Sequence, residues 1–109
     1  MGTLCLLVQM PASKSFTAID TKDYSIRLEY NESFVILHLP NIDKMDKGVF
    51  LDMKFRLEDW YEFFKTAGYA GIFAAVDPDN QKIQKLLKML GFKLKGFADN
   101  MNVYFYGEL

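Results

Sequence analysis

The 109-residue chain has few of the residues that build disulfides, metal centres and membrane spans. Cys5 is the only cysteine, so no internal disulfide can form, which fits a reducing compartment or a virion interior. His38 is the only histidine, and neither a Cys-x-x-Cys pair nor another ligand cluster predicts a metal site. No apolar run approaches the roughly 18 residues of a membrane span. These absences predict a soluble protein without a bound metal.

An excess of charge of one sign is also lacking. The chain has 13 Lys and Arg against 14 Asp and Glu, a formal net charge of −1. Such a balance gives no field that attracts nucleic acid or anionic membrane, so neither partner is expected. Half of the residues (50%) are hydrophobic and 16% are aromatic, which favours a folded chain. Residues 1–109 are predicted to form a single domain.

The clearest pattern lies between Gly71 and Phe92. The apolar run 71–76 has the length of a buried strand. Asp77 is predicted to cap a helix that has Pro78 in its first turn. Apolar residues then recur at helical spacing, at Ile83, Leu86, Leu87 and Leu90. Gly91 suits a left-handed helix end, so the stretch predicts a strand, a helix over 78–90 and a further extended segment.

Hydrophobic periodicity predicts the other elements. Residues 11–22 are predicted to be a loop because they are rich in Ser, Thr and small residues. A long helix over about 47–67 is predicted from an apolar stripe, Val49, Met53, Leu57, Trp60 and Phe64. The alternation within 49–55 also fits a strand, with the helix starting near Leu57. Further strands are predicted at 3–10, 23–30, 33–39, 93–97 and 103–106.

One motif carries a resemblance to a known family. Val-Asp-Pro-Asp-Asn at 76–80, with Leu-Gly-Phe following at 90–92, resembles the closing half of the GNAT superfamily, the GCN5-related N-acetyltransferases. The resemblance implies an α/β (α+β) fold, a mixed, largely antiparallel sheet of about six strands with two main helices. It also implies that the strand at 71–76 and the one at 92–97 splay apart to admit acyl-CoA. The chain is short for this family and lacks room for its two early helices.

The same resemblance places a cofactor site. In the family, a glycine-containing loop at the start of the long helix lets backbone N–H groups approach the pyrophosphate. Lys47, Gly48 and Val49 occupy that place, and Gly48 stands for the first glycine. A backbone N–H near Ala75 is expected to polarise the thioester carbonyl. Asn80 is the retained asparagine of the motif, although its amide also fits the structural role of capping the start of the helix.

Two positions depart from the family pattern. Phe50 stands where a small residue is expected, and its ring is predicted to fill the space of a close phosphate. Leu87 stands where a tyrosine often protonates the departing thiolate, and leucine has no proton to give. Tyr61, Tyr104 and Tyr106 are the tyrosines left as substitutes. The two departures together predict that the cofactor slot is plugged and that acyl transfer is lost.

His38 is the candidate general base, because a neutral imidazole accepts a proton near neutral pH. The apolar residues Phe34 and Ile36 alternate with it along the strand, which instead favours a packed, hydrogen-bonded and inert histidine. Glu29 and Glu32 are acidic alternatives.

These observations favour a non-catalytic, GNAT-like scaffold that acts in protein–protein contact or assembly and needs no cofactor. The chain is also similar to GNAT-like internal-virion and head-assembly proteins of tailed phages. A protein partner or a homo-oligomer is expected, in the cytoplasm or in a virion. The alternatives are an N-acetyltransferase that uses acetyl-CoA on a small amine or peptide amine, and a protein that binds CoA or a small molecule without turnover.

Overall fold

The structure is a computed structural model that describes residues 13–107, except the side chains of Pro40 and Asn41. The strands are β1 (Lys14–Asp20), β2 (Tyr24–Tyr30), β3 (Val35–Ile42), β4 (Gly71–Val76), β5 (Lys93–Ala98) and β6 (Met101–Gly107). The helices are α1 (Lys47–Thr66) and α2 (Gln81–Leu90). Within this described part of the chain, no helix is both long enough and apolar enough to cross a membrane.

The strands form one sheet in the order β1-β2-β3-β4-β6-β5. Every neighbouring pair is antiparallel except β3 and β4, which are parallel and are connected through α1. The predicted α+β class, a mixed and largely antiparallel six-stranded sheet with two helices, is confirmed.

Both helices pack on the same face of the sheet. Met53, Leu57 and Phe64 of α1 share one core with Leu87 and Leu90 of α2. The sheet contributes inward-facing side chains to this core, Ile26, Leu28, Leu37, Ile72 and Tyr104. A smaller apolar cluster lies on the other face, around Ile36 and Val103.

The long helix is confirmed, and the strand interpretation of residues 49–55 is wrong. Met53 is fully buried, whereas Leu51 and Phe55 on either side of it are 38% and 62% exposed. A strand would have placed these three side chains on the same face, because its period is two residues. Asp46 caps α1, and its Oδ1 accepts a hydrogen bond from the Val49 N–H at 2.9 Å.

The second helix begins three residues later than predicted, at Gln81 rather than Pro78. Asp77 forms a turn instead of a helix cap: its Oδ1 accepts from the Asp79 N–H, and its carbonyl accepts from the Asn80 N–H, each at 2.9 Å. This Asx-turn takes the side chain that the predicted cap would have used. Asn80 caps α2 in its place, and Gly91 ends the helix at φ 110°, as predicted.

Residues 14–20 form strand β1, so the predicted loop over 11–22 is wrong there. The register between β1 and β2 shifts between Thr17 and Ile19, which leaves Ala18 as the extra residue of a bulge. Phe16 and Ile19 consequently both belong to the helix side, although they are three residues apart. The bulge hides the two-residue period from sequence inspection. The strand predicted at 3–10 lies outside the described residues.

Strand β3 does not end at Pro40 but continues to Ile42. Its pairing with β2 shifts register between the partners Ser25 and Arg27, opposite the segment that contains Pro40. Because the ladder is already interrupted there, a residue without an N–H is tolerated inside the strand.

The predicted gap between β4 and the strand at 92–97 is wrong. Strand β4 pairs along its whole length with β6, from Gly71↔Gly107 to Val76↔Asn102, and β5 is an edge strand beyond β6. The strands that part are β3 and β4, which share the single registered pair Ile36↔Phe73.

Candidate functional site

A narrow cleft opens where β3 and β4 part, after the pair Ile36↔Phe73. Its volume is about 180 Å³. The walls are residues 37–39 of β3 and 74–76 of β4, and Leu87 of α2 also lines it. The carboxyl ends of parallel strands at a change of strand order are a common place for ligands in α/β sheets. We call this space the β3–β4 cleft.

His38 and Glu29 form a hydrogen-bonded pair beside the cleft. His38 Nε2 lies 2.9 Å from Glu29 Oε1, and the two side chains are 35% and 24% exposed. Because an ionised carboxylate only accepts hydrogen bonds, Nε2 is the donor of this bond, and Nδ1 is the ring nitrogen that does not face Glu29. Ser13 Oγ donates to the other oxygen, Glu29 Oε2. The prediction of a hydrogen-bonded His38 is therefore confirmed, but it lies half-exposed on the sheet face that the helices do not cover.

The pKa of Glu29 is held below its usual value of 4.5, first by the hydrogen bond from Ser13 and then by His38, against the opposing effect of burial. A carboxylate with a lowered pKa stabilises the fold above its unfolded-state pKa, and that stability is lost as the pH falls through the folded-state pKa.

We expect Glu29→Gln to lower the free energy of unfolding by about 1 kcal/mol at neutral pH, after solvent screening. The difference from wild type should shrink as the pH falls below about 4.5, the usual pKa of the free side chain. Urea titrations across this pH range measure both quantities. Glu32→Gln, at an exposed neighbouring position, is the control. If the free energies of unfolding of wild type and Glu29→Gln differed by the same amount at every pH, the assigned role of Glu29 would be contradicted.

Leu87 occupies the cleft at the position where the resemblance places a proton-donating tyrosine. It is 1% exposed and belongs to the main core. The substitute tyrosines are engaged elsewhere: the Tyr104 hydroxyl donates to Gln84 Oε1 at 2.7 Å, and Tyr61 packs edge-on against Tyr106 with ring centroids 5.0 Å apart. Burial raises the pKa of Tyr106, and the negative charge of Glu58 contributes to the same effect. None of these hydroxyl groups lines the β3–β4 cleft.

The start of α1 is closed by its own cap. Asp46 Oδ1 accepts from the Val49 N–H, and this bond, ahead of the nearby Lys44 ammonium, holds the pKa of Asp46 below its usual range. A Cβ placed on Gly48 would meet only Asp46 Oδ1, at 3.4 Å. No other part of the described chain therefore requires glycine at position 48, and the Asp46 carboxylate accepts from one of the N–H groups that the predicted phosphate would use.

Ala75 and Asn80 both line the β3–β4 cleft, as the resemblance implies for the cofactor site. Asn80 Oδ1 accepts from the Ile83 N–H at 3.2 Å, so the side chain caps α2. That bond leaves the amide nitrogen of Asn80 available to a ligand. Lys47 lines a second space, between the start of α1 and α2. Gly48 and Val49 line neither this space nor the cleft.

A larger apolar groove lies between the first turns of α1 and the length of α2, with a volume of about 820 Å³. We call it the α1–α2 groove. Phe50 lines this groove and Leu87 lines the cleft, so the two side chains lie in adjoining spaces, and their plugging of a cofactor slot stays a prediction. Asn80 and Ile83 line both spaces, which places the groove and the cleft side by side.

The sequence analysis missed the groove because it did not consider Lys82, Lys85 and Met89 as candidate site residues. These residues line the groove together with Ile83 and Leu86. The spacing carried a signal, because the apolar residues Ile83, Leu86 and Met89 recur every three residues. In the structure, Met89 is 54% exposed.

The chain matches no protein-family model and no curated protein. Among residues 13–107, no three His, Cys, Asp or Glu side chains lie together as a metal-binding group. The site must therefore be interpreted from its own geometry.

Proposed function

We propose that this protein is a non-catalytic, GNAT-like scaffold that works through contact with another protein chain. The family assignment is supported by the mixed six-stranded sheet and by the two helices close to their expected places, whereas the strands that part, β3 and β4, are not the pair that the resemblance implied. It is also supported by Asn80, which starts the second helix beside the cleft.

The observation that carries the proposal is the buried leucine at position 87. Acyl transfer from a thioester needs a proton for the departing thiolate, and removing a general acid lowers rates by about 10²–10⁴-fold. Leu87 is 1% exposed in the main core, and none of the described tyrosine hydroxyls lines the cleft in its stead. The cleft thus lacks a tyrosine that could protonate a departing thiolate.

The start of α1 supports the same conclusion for the cofactor. A pyrophosphate binds at a helix N-terminus through free N–H groups and a favourable dipole. Here the Asp46 carboxylate takes the Val49 N–H and adds a negative charge at that point. A coenzyme A pyrophosphate would have to compete with this carboxylate for the Val49 N–H.

Exposed aromatic side chains on α1 support the contact role. Phe55 and Phe63 are 62% and 60% exposed, on the helix that covers the sheet. Large exposed aromatics are characteristic of the central residues of protein interfaces. The partner is a different protein or a second copy of this chain, in the cytoplasm or, following the resemblance to phage proteins, in a virion.

The test consists of two measurements. The first assays acetyl transfer to a library of amines, and the second follows self-association by sedimentation velocity at increasing protein concentration. We expect no acetyl transfer, and association that Phe55→Ser with Phe63→Ser weakens. Leu94→Ser with Phe97→Ser, on β5 and 54% and 60% exposed, is the matched control. A strictly monomeric protein that also captures no partner from its host contradicts the contact role. A thermal shift with acetyl-CoA but no transfer would favour binding without turnover.

A second candidate function is supported by one observation, the position of His38 on the cleft. With Nε2 held by Glu29, Nδ1 is free to take a proton from an amine, which is the general-base half of an acetyltransferase. Under this alternative, acetyl-CoA binds around Gly48, Val49, Ala75 and Asn80 and transfers its acetyl group to a small amine. Acetylation that His38→Ala abolishes, with its pH profile shifted by Glu29→Gln, would establish it.

A further inference from the structure

The α1–α2 groove has no part in the proposed function, and its lining has the chemistry of a ligand site. Its volume of about 820 Å³ lies within the range of about 300–1,000 Å³ that is usual for small-molecule pockets. Leu51 and Met89 in its wall are 38% and 54% exposed, and Phe50, Ile83 and Leu86 complete an apolar surface. A concave apolar surface of this size gains free energy when a ligand displaces its water.

Unpaired cations border this apolar surface. Lys47, Lys82 and Lys85 line the groove, and within residues 13–107 none of them forms an ion pair or a side-chain hydrogen bond. The lining residue with the opposite charge is Asp46, whose carboxylate is used by the Val49 N–H and by Lys44 Nζ at 3.5 Å. The groove therefore presents net positive charge beside an apolar wall.

We propose that the α1–α2 groove binds a free long-chain carboxylic acid. The alkyl chain lies against Ile83, Leu86 and Met89, and the lysines hold the carboxylate. Charge complementarity favours an anionic head, and the apolar wall favours an aliphatic chain over a diphosphate. Three lysines in a concave groove of a chain with net charge −1 do not form the broad basic surface that anionic membranes require. The inference does not depend on the proposed function, because it requires neither a protein partner nor the absence of acyl transfer.

The test is isothermal titration of the full chain with dodecanoate below its micelle concentration, and with dodecyltrimethylammonium, which has the same alkyl chain and the opposite charge. We expect one dodecanoate per chain with a micromolar Kd, and binding of the cation at least about tenfold weaker because of the lysines. Decanoate should bind about tenfold more weakly than dodecanoate, since each buried CH₂ contributes to binding.

Variants locate the site. Lys82→Glu with Lys85→Glu should weaken dodecanoate binding about tenfold, and Met89→Asp should weaken it similarly without disturbing the core. Lys93→Glu with Lys95→Glu, exposed on β5, changes the charge by the same amount away from the groove and should leave the affinity unchanged.

Three results would overturn the inference. The first is equal affinity for dodecanoate and dodecyltrimethylammonium, and the second is an equal loss of dodecanoate affinity in the groove variants and the control variant. The third is binding to anionic phosphatidylglycerol vesicles without binding to free dodecanoate. Acetyl transfer is measured separately, so either proposal can fail without the other.

Discussion

Replacing Leu87 with alanine is expected to lower the free energy of unfolding by about 3 kcal/mol. Leu87 is 1% exposed and packs in the main core under the β3–β4 cleft, so truncation removes buried methyl groups and leaves a cavity. For a domain of this size, that loss is a large share of the total stability. Urea denaturation followed by circular dichroism measures it as a lower midpoint at an unchanged slope.

The neighbouring leucine supplies the control. Leu86 is 8% exposed, against 1% for Leu87, so truncating it removes less buried surface. Leu86→Ala should therefore be clearly less destabilising than Leu87→Ala. If Leu87→Ala were neutral, position 87 would not be a core position, and its interpretation as structural rather than catalytic would be wrong.

Replacing Gly71 with alanine is expected to destabilise the protein by at least about 3 kcal/mol. A Cβ at this position would overlap the carbonyl oxygen of Tyr106 and would lie 2.6 Å from Cζ of Phe105. The carbonyl belongs to strand β6, which pairs with β4 along its length, so it cannot move without breaking the ladder. The loss should appear in thermal and urea unfolding alike.

Gly48→Ala is the matched glycine control. Its Cβ would meet only Asp46 Oδ1, at 3.4 Å, and the residue lies in the first turn of α1. Alanine is favoured over glycine in helices by up to about 1 kcal/mol, so this variant should be neutral or slightly stabilising. Equal destabilisation by the two substitutions would contradict the close approach of β4 and β6 at Gly71.

The fold was largely predictable because its main elements carry local patterns. The stripe from Val49 to Phe64 predicted α1, and Gly91 predicted the end of α2. The failures had local causes as well: the bulge at Ala18 disguised β1, and the Asx-turn at Asp77 delayed the start of α2. In each case a side chain or an inserted residue satisfied the backbone in a way that periodicity does not reveal.

The candidate site was much less predictable because it depends on strand order. Sequence placed His38, Ala75 and Asn80 as candidates, and the structure brings these three to one cleft. The separation of β3 from β4, the pairing of His38 with Glu29 and the groove that contains Phe50 all arise from contacts between residues distant in sequence. Such contacts leave no mark in a local pattern.

The most direct test of the account is an amide NMR titration with acetyl-CoA, with the N–H signals of Gly48 and Val49 as the readout. Because Asp46 already accepts from Val49 N–H, we predict no saturable shift at either amide at millimolar acetyl-CoA. Saturable shifts at both amides, with matching changes at Ala75 and Asn80, would place the cofactor at the start of α1 and in the cleft. That result would contradict the proposal of a scaffold that needs no cofactor, and it would favour one of the two alternatives that bind acetyl-CoA.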